Sequence, residues 1–160
     1  VRLTHTDEQG AARMVDVGDK PVSTREAVAE GQVRMSAEAF ALVQSNTVAK
    51  GDVLGIARIA GIAGAKRTSD LVPLCHPIVL DLVEVDAEAD ASLPGVRVRA
   101  RTRATARTGV EMEALAAVMA ACLTVYDMVK AVDRSMRIED VRLRSKTGGT
   151  RGDWTAPAGD

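Results

Sequence analysis

Aromatic side chains are almost missing from this sequence. Phe40, Tyr126 and Trp154 are the whole set in 160 residues. A core without rings has to be aliphatic and rich in alanine, and a planar ligand finds little to stack on, so backbone and polar groups must hold it. Cysteine is scarce too. Cys75 and Cys122 stand far apart and read as reduced intracellular thiols, not as a disulfide framework. Histidine occurs only at His5 and His76, and no Cys-x-x-Cys or His-x-x-x-His spacing is present, so no dedicated metal site is expected. No apolar run approaches the roughly 20 residues that span a bilayer. The opening VRLTHTDEQG is polar, unlike a secretory signal, and the expectation is a cytoplasmic protein with no membrane partner. A formal net charge of −1 supplies no global basic field for nucleic acid.

Lysine is the last scarcity. The 21 basic residues include lysine only at positions 20, 50, 66, 130 and 146. Where arginine does the ordinary surface duty, a surviving lysine points to a need for an amine, because Lys can be tuned to lose its proton and Arg cannot. Lys50, Lys130 and Lys146 each stand beside a turn or a polar cluster and are singled out on that ground.

What is present is patterned. Residues 1–24 are polar and mixed and read as an irregular arm. From Arg25 to Met35 the residues Ala27, Ala29, Gly31, Val33 and Met35 share one face, as in a half-buried strand. Ser36 then has the form of an N-cap for a helix ending near Asn46. Lys50-Gly51-Asp52 opens a second helix reaching about Lys66, with small residues spaced for close helix approach. Its Gly61-x-x-Gly64-x-Lys66 lacks the spacing of a phosphate loop. Two alternating stretches, Val79–Ala89 and Gly95–Arg107, joined by ASLPG, read as a hairpin. A long helix follows, from about Val110 to Asp133, then a strand from Met136 to Ser145 and a loose tail from 147. The order β-α-α-β-β-α-β predicts an α+β fold, a ferredoxin-like (split β-α-β) antiparallel sheet with an inserted helix, in a single domain over 1–160.

The long helix is apolar on nearly every side, so more than one of its faces is expected to be covered, one of them by a second subunit. At 100° per residue Glu113, Thr124 and Asp127 fall within about 60° of each other, with Ala116, Ala117 and Ala120 between them. Glu113 and Asp127 lie roughly 21 Å apart along the axis, too far to act on one atom. They are symmetric about Ala120. Packing of that stripe on its own two-fold copy would bring Glu113 of one chain to Asp127 of the other. Glu111, Glu113 and Lys130 are accounted for by the helix dipole alone; Asp127, an acid near the unfavourable end, is not.

Three features keep two interpretations each. His76, between Pro73 and Pro77, is either a core histidine with one nitrogen satisfied, which composition favours, or an acid/base or substrate-binding group in a stiffened loop. Arg97, Arg99, Arg101 and Arg103 either track phosphates or form the solvated face of a strand. KTGG after the last strand either wraps an anion or begins a fraying tail.

Six stretches coincide in order and spacing. MVDV (14–17), KGDV (50–53), ARIAGI with AKRTSDLVPLCHPI (57–78), TGVEMEAL (108–115), TVYDMVKA (124–131) and KTGG (146–149) together resemble the MoaC family of molybdenum-cofactor biosynthesis. The resemblance covers nearly the whole chain. It implies a ferredoxin-like enzyme, hexameric as a trimer of dimers, with active sites between subunits. The family converts a cyclised dihydroguanosine triphosphate to cyclic pyranopterin monophosphate and releases pyrophosphate. Carried over, Asp127 matches the catalytic acid, and Lys50, Lys130 and Lys146 match essential lysines. Leu74, Cys75 and His76 match one substrate-binding segment, Met112 with Glu113 another, and Glu111 is a further polar member. Val129 stands where many relatives have Cys, and Thr147 where they have Ser. The competing class is a non-catalytic ferredoxin-like nucleotide-binding regulatory module, which would not need an Asp and a Lys adjacent in an apolar helix.

Overall fold

The computed structural model describes residues 5–7 and 9–157. In chain order the elements are β1 (Ser23–Arg34), α1 (Ala37–Gln44), α2 (Val53–Ala65), α3 (Thr68–Leu71), β2 (Leu82–Asp90), β3 (Gly95–Ala106), α4 (Glu111–Val129), β4 (Arg137–Thr147) and β5 (Trp154–Thr155). The sheet order is β2-β3-β1-β4-β5, and every neighbouring pair is antiparallel. β3 therefore lies between β1 and β2, and β1 between β3 and β4. These are the two interleaved split β-α-β units of the ferredoxin-like arrangement, with α1 and α2 both lying in the first crossover.

The alternation places the core as expected. Ala27, Ala29 and Val33 of β1 and Val96, Val98 and Ala100 of β3 are all nearly or fully buried, beneath Ala114, Ala117, Val118 and Ala121 of α4. The opposite sheet face is a charge lattice. Glu84, Asp86 and Glu88 of β2 stand across from Arg101, Arg99 and Arg97 of β3. Arg101 pairs with Glu26 at 2.8 Å and Glu84 at 3.1 Å, and Arg97 pairs with Asp90. The strand arginines are thus matched by acids opposite them, which decides for a solvated face.

The helices start where local chemistry says they should. The Ser36 hydroxyl accepts from the Ala39 amide, and the Asp52 carboxylate accepts from the Gly55 amide. α2 lies against α4 through small residues. A Cβ at Gly61 would stand 3.0 Å from the Ala117 carbonyl oxygen, and one at Gly64 2.5 Å from Ala120 Cβ. This overturns one expectation. The alanine stripe of α4 is covered by α2 of the same chain, so it is not free to meet a two-fold copy. What α4 leaves outside is Met112, Met119 and Leu123. By length and composition α4 is apolar enough to cross a membrane, yet half of it is buried in the protein core.

Other differences lie at the edges. The short helix α3 was not foreseen. β2 begins at Leu82 instead of Val79: Pro77 cannot donate to a ladder, and Val79 is 88% exposed. β4 runs on through Lys146 and Thr147. The segment expected as a loose tail turns back as β5, pairing Lys146 with Trp154 and Ser145 with Thr155. Gly148, Gly149 and Gly152 all have positive φ and make that reversal possible, and the Asp153 carboxylate accepts from the Gly148 amide. The described residues between 5 and 22 form no helix or named strand, only an isolated bridge between Thr6 and Ala12.

Candidate active site

The singled-out residues separate into two clusters at opposite ends of α4. At its C-terminal end Asp127 sits between two ammonium groups. Lys130 Nζ lies 2.6 Å from Oδ1, and Lys50 Nζ lies 2.9 Å from Oδ2 and donates to the Asp127 carbonyl at 2.8 Å. Each part of KGDV has a task here. Gly51 turns the chain at φ +99°, Asp52 caps α2, and Lys50 is left pointing at the last turn of α4. That last turn has carbonyls without helical partners and the negative end of the helix dipole, both of which favour a cation. The two lysines explain how an acid is tolerated there. They hold the Asp127 carboxyl down to about 2, Lys130 contributing most and Lys50 next. All three side chains are about half exposed. At neutral pH the Asp127 side chain is therefore a carboxylate flanked by two lysine side chains.

At the N-terminal end of α4 a cleft of about 940 Å³ opens. Leu74, Cys75, His76, Glu111, Met112 and Lys146 all line it, coming from the segment after α3, from the first turn of α4 and from the end of β4. His76 is therefore a cleft residue and not core filler. Glu113 is not among the residues that line the cleft. It is 2% exposed and sits behind Cys75, whose Sγ is 3.9 Å from Oε1. Burial pushes its carboxyl up to about 7, and the nearby Glu111 adds to the effect. Thr124, the third polar member of the helix stripe, bonds back to the Ala120 carbonyl and takes no part in either cluster.

The cleft also holds residues that pattern reading passed over. Lys20, Arg25, Arg107 and Arg151 join Lys146 on its walls, against two carboxylates, Glu26 and Glu111. Glu26 is already matched by Arg101. The excess is positive and suits a polyanion. Arg25 is 8% exposed, with a buried Nε that has no partner. It explains Gly149 of KTGG: a Cβ there would run into the Arg25 guanidinium, and φ is +86°. Lys20 went unnoticed because the arm lacks periodicity, Arg25 because it stands at the start of a strand whose pattern speaks only of the core face, and Arg151 because the tail was set aside. The MVDV motif was the available signal, since Val15 and Val17 form part of the same wall. Among the described residues no Phe, Tyr or Trp lines the cleft. Among the described residues no three His, Cys, Asp or Glu side chains cluster as metal ligands.

Comparison with known proteins covers the segments that carry both clusters. The MoaC family profile matches residues 14–149, a span that contains Lys50, His76, Glu113, Asp127, Lys130 and Lys146. The chain belongs to the MoaC family. Proteins named cyclic pyranopterin monophosphate synthase from Brucella ovis and Brucella melitensis are each 60% identical to it over 153 residues, which is 96% of this chain and 93% of theirs. The protein of that name from Brucella canis is 59% identical over the same shares. Within the MoaC frame the problem becomes geometric. Glu111 and Asp127 are 16 residues apart on one continuous helix, roughly 24 Å along its axis. The cleft and the lysine–aspartate cluster of one chain cannot close on one small substrate.

Proposed function

We propose that this chain forms cyclic pyranopterin monophosphate in molybdenum-cofactor biosynthesis, as a cytoplasmic phosphorus–oxygen lyase acting on a cyclised dihydroguanosine triphosphate. The observation that carries the proposal is Asp127 held between Lys50 and Lys130 in a chain 60% identical to proteins named for that activity. The chemistry opens a purine-derived ring, rebuilds it as a pterin, closes a cyclic phosphate and expels pyrophosphate. Each proton transfer by a positioned group contributes about 10²–10⁴-fold. A carboxylate beside two ammonium groups offers an acceptor and donors within one cluster. The cationic cleft supplies what a triphosphate and a departing pyrophosphate need, charge stabilisation by fixed donors. Its lack of aromatic rings leaves the heterocycle to polar groups and to the Leu74–His76 segment.

The two clusters meet only if different subunits contribute them. In this proposal one catalytic domain spans residues 1–160, and the homo-oligomer, a hexamer built as a trimer of dimers, places Asp127 of the partner subunit at the cleft. Exposed Ile59, Met119 and Leu123, on the outer sides of α2 and α4, support an oligomer, since large apolar side chains grouped at a helical surface mark an interface. The direct test is incubation of the purified protein with the cyclised triphosphate. Joint appearance of pyrophosphate and the cyclic pterin supports the proposal; binding of the nucleotide without conversion would return the chain to the class of regulatory modules. Co-purified Asp127→Ala and Glu111→Ala chains test the composite site. Mixed oligomers that regain activity absent from either parent place the two clusters in different subunits, and no regain sinks that arrangement.

A further inference from the structure

Asp133 is a buried acid that neither cluster contains. It is 7% exposed and stands just beyond α4, its amide still donating to the Val129 carbonyl at 3.2 Å. Oδ1 accepts from the Ser135 amide at 2.8 Å and from the Ser135 hydroxyl at 2.6 Å. Oδ2 accepts from the Ser36 amide at 2.7 Å. These donors hold the carboxyl below the usual carboxylate range, the Ser135 hydroxyl contributing most and the Ser36 amide next. None of them is a cation, and the end of a helix opposes a negative charge. A buried carboxylate in that place is costly. What it achieves is a link between two helices. Ser36 is the N-cap of α1, whose positive end favours the charge that the end of α4 opposes.

Each of the linked helices carries part of the lysine–aspartate cluster. α4 brings Asp127 and Lys130. α1 leads into the turn that brings Lys50, and that turn is tied to the helix before it. The Thr47 amide donates to the Leu42 carbonyl at 2.9 Å, the Asn46 amide to the Val43 carbonyl at 3.2 Å and the Gly51 amide to the Val48 carbonyl at 2.9 Å. Lys50 therefore moves with α1. We propose that Asp133 is a positioning residue of the cluster: by joining the start of α1 to the end of α4 it sets where Lys50 meets Asp127. The proposal rests on that cluster being catalytic. The Tyr126 hydroxyl steadies the α4 side of the link, donating to the Arg134 carbonyl at 3.0 Å. The cleft at the other end of α4 takes no part in it.

The test uses the full chain as wild type, Asp133→Asn and Ser135→Ala. Asn at 133 keeps the size, but when its oxygen faces Ser135 its amide faces the Ser36 N–H, so the link to α1 is the one lost. Acetylation of the native protein by acetic anhydride, read lysine by lysine in a mass spectrometer, needs no turnover. Asp133→Asn is expected to speed labelling of Lys50 about fivefold, as a loosening worth one hydrogen bond does. Lys66 and Lys130, at the ends of α2 and α4, should label as before. In kinetics with the cyclised triphosphate, kcat is expected to fall about tenfold at unchanged KM, because a misplaced group costs turnover while the cleft is intact. Ser135→Ala keeps the Ser36 link and should stay near wild type in both arms. Unchanged labelling of Lys50, a rise shared by Lys66 and Lys130, an unchanged kcat in an active enzyme, or equal impairment by Ser135→Ala would overturn the proposal. Selective labelling of Lys50 in a protein whose wild type has no turnover would uphold the link and sink the catalytic reading instead. Should Asp133→Asn not fold, Ser36→Pro cuts the link from the other side. Proline lacks the donating amide and adopts the φ of −66° found there, and Ser36→Ala controls for the lost hydroxyl. Faster Lys50 labelling in Ser36→Pro than in Ser36→Ala supports the proposal, and equal rates overturn it.

Discussion

Two acids on one helix, 14 residues apart, are pushed in opposite directions. Asp127 lies at the exposed end of α4 between two ammonium groups and is held near 2. Glu113 lies in the buried first turn without a cation and is raised to about 7. Helix position alone predicts the reverse, because the first turn favours a negative charge and the last turn opposes one. Direct partners and burial outweigh the dipole at both ends. A charge-assisted hydrogen bond acts over less than 3 Å, whereas the dipole is a partial charge spread over a turn. An acid's place on a helix is thus a poor guide to its protonation state until its neighbours are known.

The largest expected effect breaks the exposed end. Asp127→Ala removes a side chain that buries little, so the fold should persist by circular dichroism while kcat falls by about 10²–10⁴-fold. Near-normal turnover would show that the two lysines suffice alone. The buried end is next, and its signature is stability. For an acid whose folded value is raised above the unfolded one, the unfolded chain ionises first as pH rises. Stability is then full below about 4.5, falls between 4.5 and about 7, and levels off above. The loss amounts to roughly 3.5 kcal/mol, at about 1.4 kcal/mol per pH unit. Glu113→Gln should flatten that decline in denaturant titrations at fixed protein concentration. An unchanged slope would mean that Glu113 is not the group responsible.

Lys50→Arg is a finer probe. The planar guanidinium keeps the charge but cannot present one compact ammonium to both the carbonyl and the carboxylate of Asp127, and about a tenfold loss in kcat is expected. Full activity would mean that charge is enough at this position. The smallest effect joins the two themes. Cys122 is fully buried, so alkylation of the native protein reports on Cys75, whose thiol is raised first by burial and then by Glu113. Glu113→Gln should speed that alkylation a few-fold (about threefold) at pH 8, by increasing the thiolate fraction. Equal rates would uncouple Cys75 from Glu113.

Much of the fold was legible because alternation and helical spacing record which face meets the core. The β1 and β3 faces, the Ser36 cap and the β2–β3 hairpin all follow from local pattern. Asp127 was legible because it violates the dipole rule, and a violation needs a cause. Lys20, Arg25 and Arg151 were not legible. The arm and tail that carry Lys20 and Arg151 lack a period, and the Arg25 guanidinium, on β1, becomes part of a cleft only because the distant Gly149 leaves room for it. The alanine stripe of α4 misled for the same kind of reason. Small residues announce a close neighbour without saying which one, and α2 of the same chain took the place expected for a second copy.

The sequence by itself determined most of the secondary structure, the aliphatic core and the family resemblance. Those follow from short-range spacing and from residue type. Only the tertiary structure decided that the residues divide between two ends of a helix, that His76 faces a cleft, and that Glu113 and Asp127 differ in charge at the same pH. Electrostatic interactions and desolvation depend on distances in space between groups that lie far apart along the chain, as Lys50 and Asp127 do at 77 residues.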